Sequence, residues 1–169
     1  MKIFNWKVGG ILFVRKHWRK FAIGGACLFL LLLIWPLFAA RFRNDVLSDY
    51  FLDQLTCLKP GGGTAVCKTF SEIGVLTGNG NHCDFFQLVI FKTGLSREEV
   101  RMFYDRFGES VYFLKDDETI ILEALSHYHI DGLIAQLKEE IAELSRQKGN
   151  YFLRYSFVSL DCNADWRCH

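Results

Sequence analysis

The sequence predicts an α+β protein, in which a single N-terminal transmembrane helix precedes an extracytoplasmic domain of the ferredoxin-like order β-α-β-β-α-β. Three observations lead to this fold class. Residues 21–40 form an unbroken apolar run, and beyond it apolar residues repeat with the periods of strands and helices in turn. The resulting strand order also brings Cys83 and Cys162 to the same end of the sheet. That adjacency supports the order, because the cysteines do not themselves determine it.

The run at 21–40, FAIGGACLFLLLLIWPLFAA, is uncharged and long enough to cross a bilayer. About 20 apolar residues in a helix span the roughly 30 Å hydrocarbon core. Six basic residues precede the run and two follow it closely, so the positive-inside rule leaves the N-terminus in the cytoplasm. We therefore expect a basic cytoplasmic tail at residues 1–20, a transmembrane helix at 21–40, and a periplasmic remainder anchored in a cell inner membrane.

A cleaved signal peptide is the alternative interpretation of this segment. Such peptides carry an apolar stretch of about 7–15 residues and a small residue at the cleavage site. Here the apolar run is longer, and Phe38 stands where a small residue is required. We expect the span to be retained as an anchor, with membrane lipid as its partner.

Charge divides the chain near the same point. The first 44 residues hold 8 of the 20 basic residues and none of the 19 acidic ones, so 12 basic and 19 acidic residues remain beyond them, a net charge of −7. A basic tail suits anionic lipid headgroups. The acidic remainder argues against nucleic acid as a partner, because phosphate binding needs a positive surface.

Residues 41–82 predict a membrane-proximal helix followed by a glycine-rich loop. Apolar residues recur at helical spacing in the segment 44–58, and this helix must end before Pro60. Gly61 to Gly63 then begin a stretch with weak patterning, which we expect to be a long loop with at most one short element as far as residue 82.

The ferredoxin-like domain is expected at residues 83–169. Its first strand is DFFQLVIFK, directly after Cys83, and its first helix starts at a capping box formed by Ser96 and Glu99. A hairpin should follow, with arms SVYFL and TIILEAL. The second arm also contains good helix formers, but the β-branched residues at 119–121 favour a strand.

A long helix and a final strand complete the predicted order. The apolar face of the helix repeats every three or four residues, and the helix should stop near Gly149; it carries Ile130, Leu133, Ile134, Leu137, Ile141 and Leu144. Residues 151–160 alternate as a strand. Right-handed crossovers would place both helices on one face, and the first and last strands side by side and antiparallel.

The cysteines beyond the span predict disulfides, since this density in a translocated domain is typical of an oxidising compartment. We expect Cys83 to pair with Cys162, and Cys57 with Cys67. Cys168 would then be unpaired, an alternative partner of Cys83, or a link between two copies of the chain. A metal site is the competing interpretation, but no Cys-x-x-Cys pair occurs.

No motif for catalysis, cofactor binding or metal binding is evident, and we expect a protein that is not an enzyme. His127 and His129 are two residues apart, but the sequence reveals no further ligands to join them. The predicted topology leaves one sheet face without helices. Exposed aromatic residues would make that face a binding surface, unless the segment 44–81 covers it; the candidates are Phe86, Tyr112, Tyr151 and Tyr155.

The layout of a short tail, one span and a small outer domain is similar to that of bitopic inner-membrane subunits of bacterial secretion and pilus machines. The likeness is one of architecture, without a shared motif. It implies a scaffold or accessory subunit of an envelope complex that binds a protein partner. Two alternatives stand beside it: a membrane-anchored immunity or inhibitor protein, and a thiol-redox or metal-dependent periplasmic factor.

Overall fold

The computed structural model describes residues 6–77, 82–161 and 165–168, with the backbone alone for 6–17 and 19. The chain divides into two compact units, Met1–Ala39 and Ala40–His169. The helices and strands, in chain order, are α1 Trp6–Cys57, β1 Ala65–Gly74, β2 His82–Thr93, α2 Arg97–Asp105, β3 Tyr112–Phe113, α3 Glu118–Leu125, α4 Asp131–Arg146 and β4 Asn150–Asp161. A short 3₁₀ turn, Trp166–Cys168, follows β4.

Helix α1 contains the apolar run and is long and apolar enough to cross a membrane. None of its most apolar stretch is buried within the chain. Pro36 lies inside this helix, as transmembrane helices tolerate. These properties are consistent with single-pass membrane anchoring.

The sheet has four antiparallel strands in the order β1-β2-β4-β3. The predicted first and last strands, β2 and β4, are neighbours, with a register that runs from His82 opposite Asp161 to Thr93 opposite Asn150. Their adjacency and antiparallel direction are therefore confirmed. Strand β2 is central and buried along nearly its whole length, as its continuous apolar sequence indicates.

The β-α-β-β-α-β order is not confirmed, because two segments differ from the prediction. Residues 118–125, expected as the second arm of a hairpin, form helix α3. The Asp117 carboxylate accepts a hydrogen bond from the Phe113 amide at 2.8 Å, and this contact turns the chain directly after β3. Ile121 and Leu125 then bury one side of a helix, which outweighs the β-branched residues before them.

The second difference is strand β1, which falls in the segment expected to be loop. Only Phe70 and Gly74 are buried among its ten residues, so it lacks the apolar alternation that marks a strand in a sequence. Its strand conformation comes from pairing with β2, from Ala65 opposite Lys92 to Gly74 opposite Asp84. Cys67 lies at a bulge in this ladder.

Helices cover both faces of the sheet, so the expectation of two helices on one face is wrong. On one face, Leu55 of α1 and Tyr104 of α2 pack with Val89 of β2. On the other face, Leu137 of α4 packs with Leu88. Neither face of the sheet is therefore left without helices: the end of α1 and α2 cover one face, and α3 and α4 cover the other. The side chains of α4 that are buried agree with its predicted apolar face: Leu133, Leu137, Ile141 and Leu144.

Polar contacts hold the end of α1 on the sheet. The buried Arg154 guanidinium donates hydrogen bonds to the carbonyl oxygens of Leu55 and Leu58, each at 3.1 Å. Those carbonyls have no partner within the helix, so Arg154 caps its C-terminal end. Arg154 also lies 4.5 Å from the centre of the Tyr104 ring and forms an ion pair with Glu109 at 3.1 Å.

Candidate functional site

Cys83 is bonded to Cys168, which corrects the preferred Cys83–Cys162 pairing and realises the alternative one. The register explains the difference, because it places Leu160 opposite Cys83. The 3₁₀ turn Trp166–Cys168 brings the Cα of Cys168 to 4.8 Å from that of Cys83. Cys162 lies outside the described residues.

Cys57 and Cys67 are exposed thiols in the structure, and the disulfide expected between them is not formed. Cys57 ends α1, on one face of the sheet. Cys67 lies close enough to Glu140 of α4, on the opposite face, for the carboxylate to affect its titration. Partial burial raises the pKa of the Cys67 thiol, although Lys92 opposes the shift. A thiol with a raised pKa is a poor nucleophile near neutral pH.

A buried polar cluster lies next to the disulfide. Asn44 donates to Asp165 Oδ2 at 3.0 Å and to Cys83 Sγ at 3.3 Å. Arg167 donates from Nη2 to Asp165 at 2.6 Å and from Nη1 to Asp45 at 2.8 Å. Burial raises the pKa of Asp165, but the hydrogen bonds from Arg167 and Asn44 prevail and lower it below its usual value. The cluster ties the C-terminal turn to α1, which is a structural role.

The aromatic residues proposed as a binding surface are packed under α3 and α4, so they do not form an exposed face. Phe86 and Tyr151 are buried, and Tyr112 and Tyr155 are half-buried. Tyr155 stacks between Tyr112 and Phe86, with ring centres 5.9 Å from each. Burial, followed by the neighbouring Tyr112 hydroxyl, raises the pKa of Tyr155 to about 12. These residues belong to the core because the sheet has helices on both sides.

His127 and His129, the two histidines noted in the sequence, do not lie near further side chains that could complete a metal site within the described residues. His127 is exposed, and the amide of His129 donates to the Leu76 carbonyl at 2.7 Å. Within 6–77, 82–161 and 165–168, no group of three or more His, Cys, Asp or Glu side chains is arranged to hold a metal ion.

Strand β1 forms one edge of the sheet and is flanked by two grooves, which the sequence did not reveal. The first groove, about 440 Å³, lies between β1 and the start of α4 and is lined by Glu72, His129 and Asp131 among others. The second, about 370 Å³, lies between β1 and α1 and is lined by Asp49 and Glu72 among others. Because α1 and α4 cover opposite faces, the two grooves lie on opposite sides of one strand.

Comparison with protein-family models, with curated proteins and with solved structures finds no match to this chain. Its function is therefore inferred from its own residues and their geometry.

Proposed function

We propose that this chain is a single-pass protein of a bacterial inner membrane whose periplasmic domain binds a protein partner, as a scaffold or accessory subunit of an envelope complex. The observation that carries the proposal is the exposed apolar helix joined to a domain with helices packed on both faces of its sheet. The apolar helix supplies an anchor. Because the interior of the domain is filled by packed side chains, we place the binding of a partner on its surface.

Charge and cysteine chemistry support the proposed orientation. Six basic residues before the span and two after it favour a cytoplasmic N-terminus. The Cys83–Cys168 disulfide suits the oxidising periplasm, because the bacterial cytoplasm keeps thiols reduced.

The chemistry of the Cys67 thiol counts against a redox role for that residue. A catalytic thiol needs a lowered pKa, whereas burial raises that of Cys67. A membrane-anchored immunity or inhibitor protein is the second candidate, and the net charge of −7 beyond residue 44 favours it, since an acidic surface suits a basic target. The two binding roles differ in consequence: an inhibitor suppresses the activity of its partner, and a scaffold does not.

The test is purification of the full chain from detergent-solubilised membranes, with mass spectrometry of what accompanies it. The comparison is Leu137→Asp, which places a carboxylate in the core at a cost of several kcal/mol (about 2 or more) and leaves the span intact. A partner should accompany the parent chain and be lost from the variant, while both remain in the membrane fraction after alkaline extraction. A parent chain that carbonate removes from membranes, or the same proteins with both chains, would refute the proposal.

A further inference from the structure

We propose that β1 is a docking edge for an extended basic segment of a partner protein, which adds to the sheet as a strand beside β1. This inference rests on the proposed function and names the surface and the chemistry of recognition. It draws on three features of the strand: its unpaired outer edge, the grooves on both of its sides, and the carboxylates that line them.

The outer edge of β1 has backbone groups available for pairing. The strand runs for ten residues and pairs with β2 on one side only, at the end of the order β1-β2-β4-β3. No hydrogen bond among the described residues joins its backbone to another strand on the outer side. Such an edge is a template for a further strand. The bulge at Cys67 interrupts the ladder near one end, which leaves Lys68–Gly74 as the regular part.

The positions of the grooves match the geometry of an added strand. Successive side chains of a strand point to opposite faces of the sheet. A segment beside β1 would therefore direct alternate side chains into the groove at α4 and the groove at α1. Ser71 and Glu72 line both grooves, so the grooves lie opposite each other at the same position along β1. Neighbouring side chains of the added strand could therefore enter one groove each. In proteins that bind a peptide as an added strand, main-chain hydrogen bonds supply the affinity, and pockets for alternate side chains supply the specificity.

Charge decides what kind of segment fits. The groove at α4 contains Glu72 and Asp131, and the groove at α1 contains Asp49 and Glu72. None of these three carboxylates forms an ion pair within the described part of the chain. The one guanidinium in these linings, that of Arg167, is already bound by Asp45 and Asp165. Lysine or arginine side chains on both faces of the incoming strand would form ion pairs with the carboxylates in the two grooves.

A second copy of the chain fits this edge poorly. If two β1 strands paired, each copy would present the same unpaired carboxylates to the other, and like charges brought together at an interface are costly. Lys68 does not relieve this repulsion, because it already forms an ion pair with Glu140 of its own chain at 3.2 Å. The complementary occupant is a different, basic protein.

The probe is the peptide acetyl-Thr-Val-Lys-Lys-Val-Thr-amide, in which adjacent lysines point to opposite faces. Binding is measured by isothermal titration calorimetry against the full chain in detergent micelles. Two comparison peptides separate the contributions: one replaces both lysines by glutamate, and one carries N-methyl groups on its four central amides, which blocks pairing along both edges and keeps the charge. We expect the lysine peptide to bind and each comparison peptide to bind at least about tenfold more weakly.

Glu72→Lys tests the site on the protein, since Glu72 is exposed and lines both grooves. The matched control is Glu139→Lys, which makes the same charge change at an exposed position of α4 outside both grooves. We expect Glu72→Lys to weaken binding at least about tenfold and Glu139→Lys to change it by less than about twofold. Equal melting temperatures would show that both variants are folded.

Three results would overturn the inference: equal binding of the N-methylated peptide, equal effects of the two variants, or no binding of the lysine peptide. Self-association of the full chain that Glu72→Lys abolishes would also overturn it, by assigning the edge to a second copy. These failures are distinct from failure of the proposed function. A partner that accompanies both the parent chain and Glu72→Lys from membranes would leave the binding role in place and move it to another surface.

Discussion

Arg154, on the inner strand β4, donates a hydrogen bond at 3.1 Å to the carbonyl oxygen of Leu58, one residue beyond the end of α1. A second bond reaches the Leu55 carbonyl at the same distance. Within the unit Ala40–His169, the end of α1 is therefore fixed on the sheet by a buried cation as well as by apolar packing. This contact holds the end of α1 over β2 and β4.

Replacement of Arg154 by methionine should lower the free energy of unfolding by about 3 kcal/mol, because the buried Leu55 carbonyl would lose its partner and the Leu58 carbonyl would keep only the bond from the Tyr104 hydroxyl. Arg106→Met, at an exposed position after α2, should change it by less than about 0.5 kcal/mol. Chemical denaturation of the full chain in micelles, followed by near-ultraviolet circular dichroism, measures both. Equal values would contradict the capping role of Arg154.

Acid should weaken the C-terminal turn. The pKa of Asp165 is lowered in the folded state from an unfolded value of about 3.9, so its stabilising effect is complete above that pH and is lost as pH falls through the folded value. The melting temperature, measured at a series of pH values from 6 to 2, should therefore fall once the pH is below about 4. Asp165→Asn should be less stable at pH 6 and show a smaller drop, whereas the exposed Asp105→Asn should behave as the parent.

Non-reducing peptide mapping should join the peptides that contain Cys83 and Cys168, which close a separation of 85 residues. The chain-entropy model gives about 4–5 kcal/mol for such a loop as an upper guide. Cys168→Ser should therefore lower stability strongly, and the exposed Cys57→Ser should not. A linkage of Cys83 to Cys162, or of Cys57 to Cys67, would contradict the structure.

Leu137→Asp and Glu139→Ala should differ widely in effect, although they are two residues apart on α4. Leu137 is fully buried in the core and Glu139 is exposed. We expect a loss of at least about 2 kcal/mol for the first and less than about 0.5 kcal/mol for the second. Similar small losses in both variants would show that α4 does not pack on the sheet through this face.

The sequence predicts the elements whose signals are local. The capping box at Ser96 and Glu99 begins α2, with both of its hydrogen bonds formed. The apolar repeat of α4 faces the core, and the apolar run at 82–93 is the central strand. In each case the pattern lies within the element itself, so it can be read without knowledge of the neighbours.

The remaining features depend on tertiary contacts. Strand β1 is mostly polar and exposed, and only its ladder with β2 makes it a strand. Helix α3 follows from the turn that Asp117 closes after β3. The pairing of Cys83 with Cys168 depends on the position of the 3₁₀ turn Trp166–Cys168 beside β2. For the same reason the grooves beside β1 were not predictable, since their linings combine residues from distant segments.

The central claim is that an anchored domain binds a partner at β1, and photo-crosslinking in intact membranes tests it most directly. A benzoylphenylalanine at Thr69, which is exposed on β1 and lines the groove at α4, is compared with one at Ile120, exposed on α3. We expect a discrete adduct from position 69 alone, joined to an extended lysine- or arginine-containing segment of the partner and lost when Glu72→Lys is added. Adducts of equal yield from both positions, or none from position 69 in folded, membrane-bound chain, would contradict the claim.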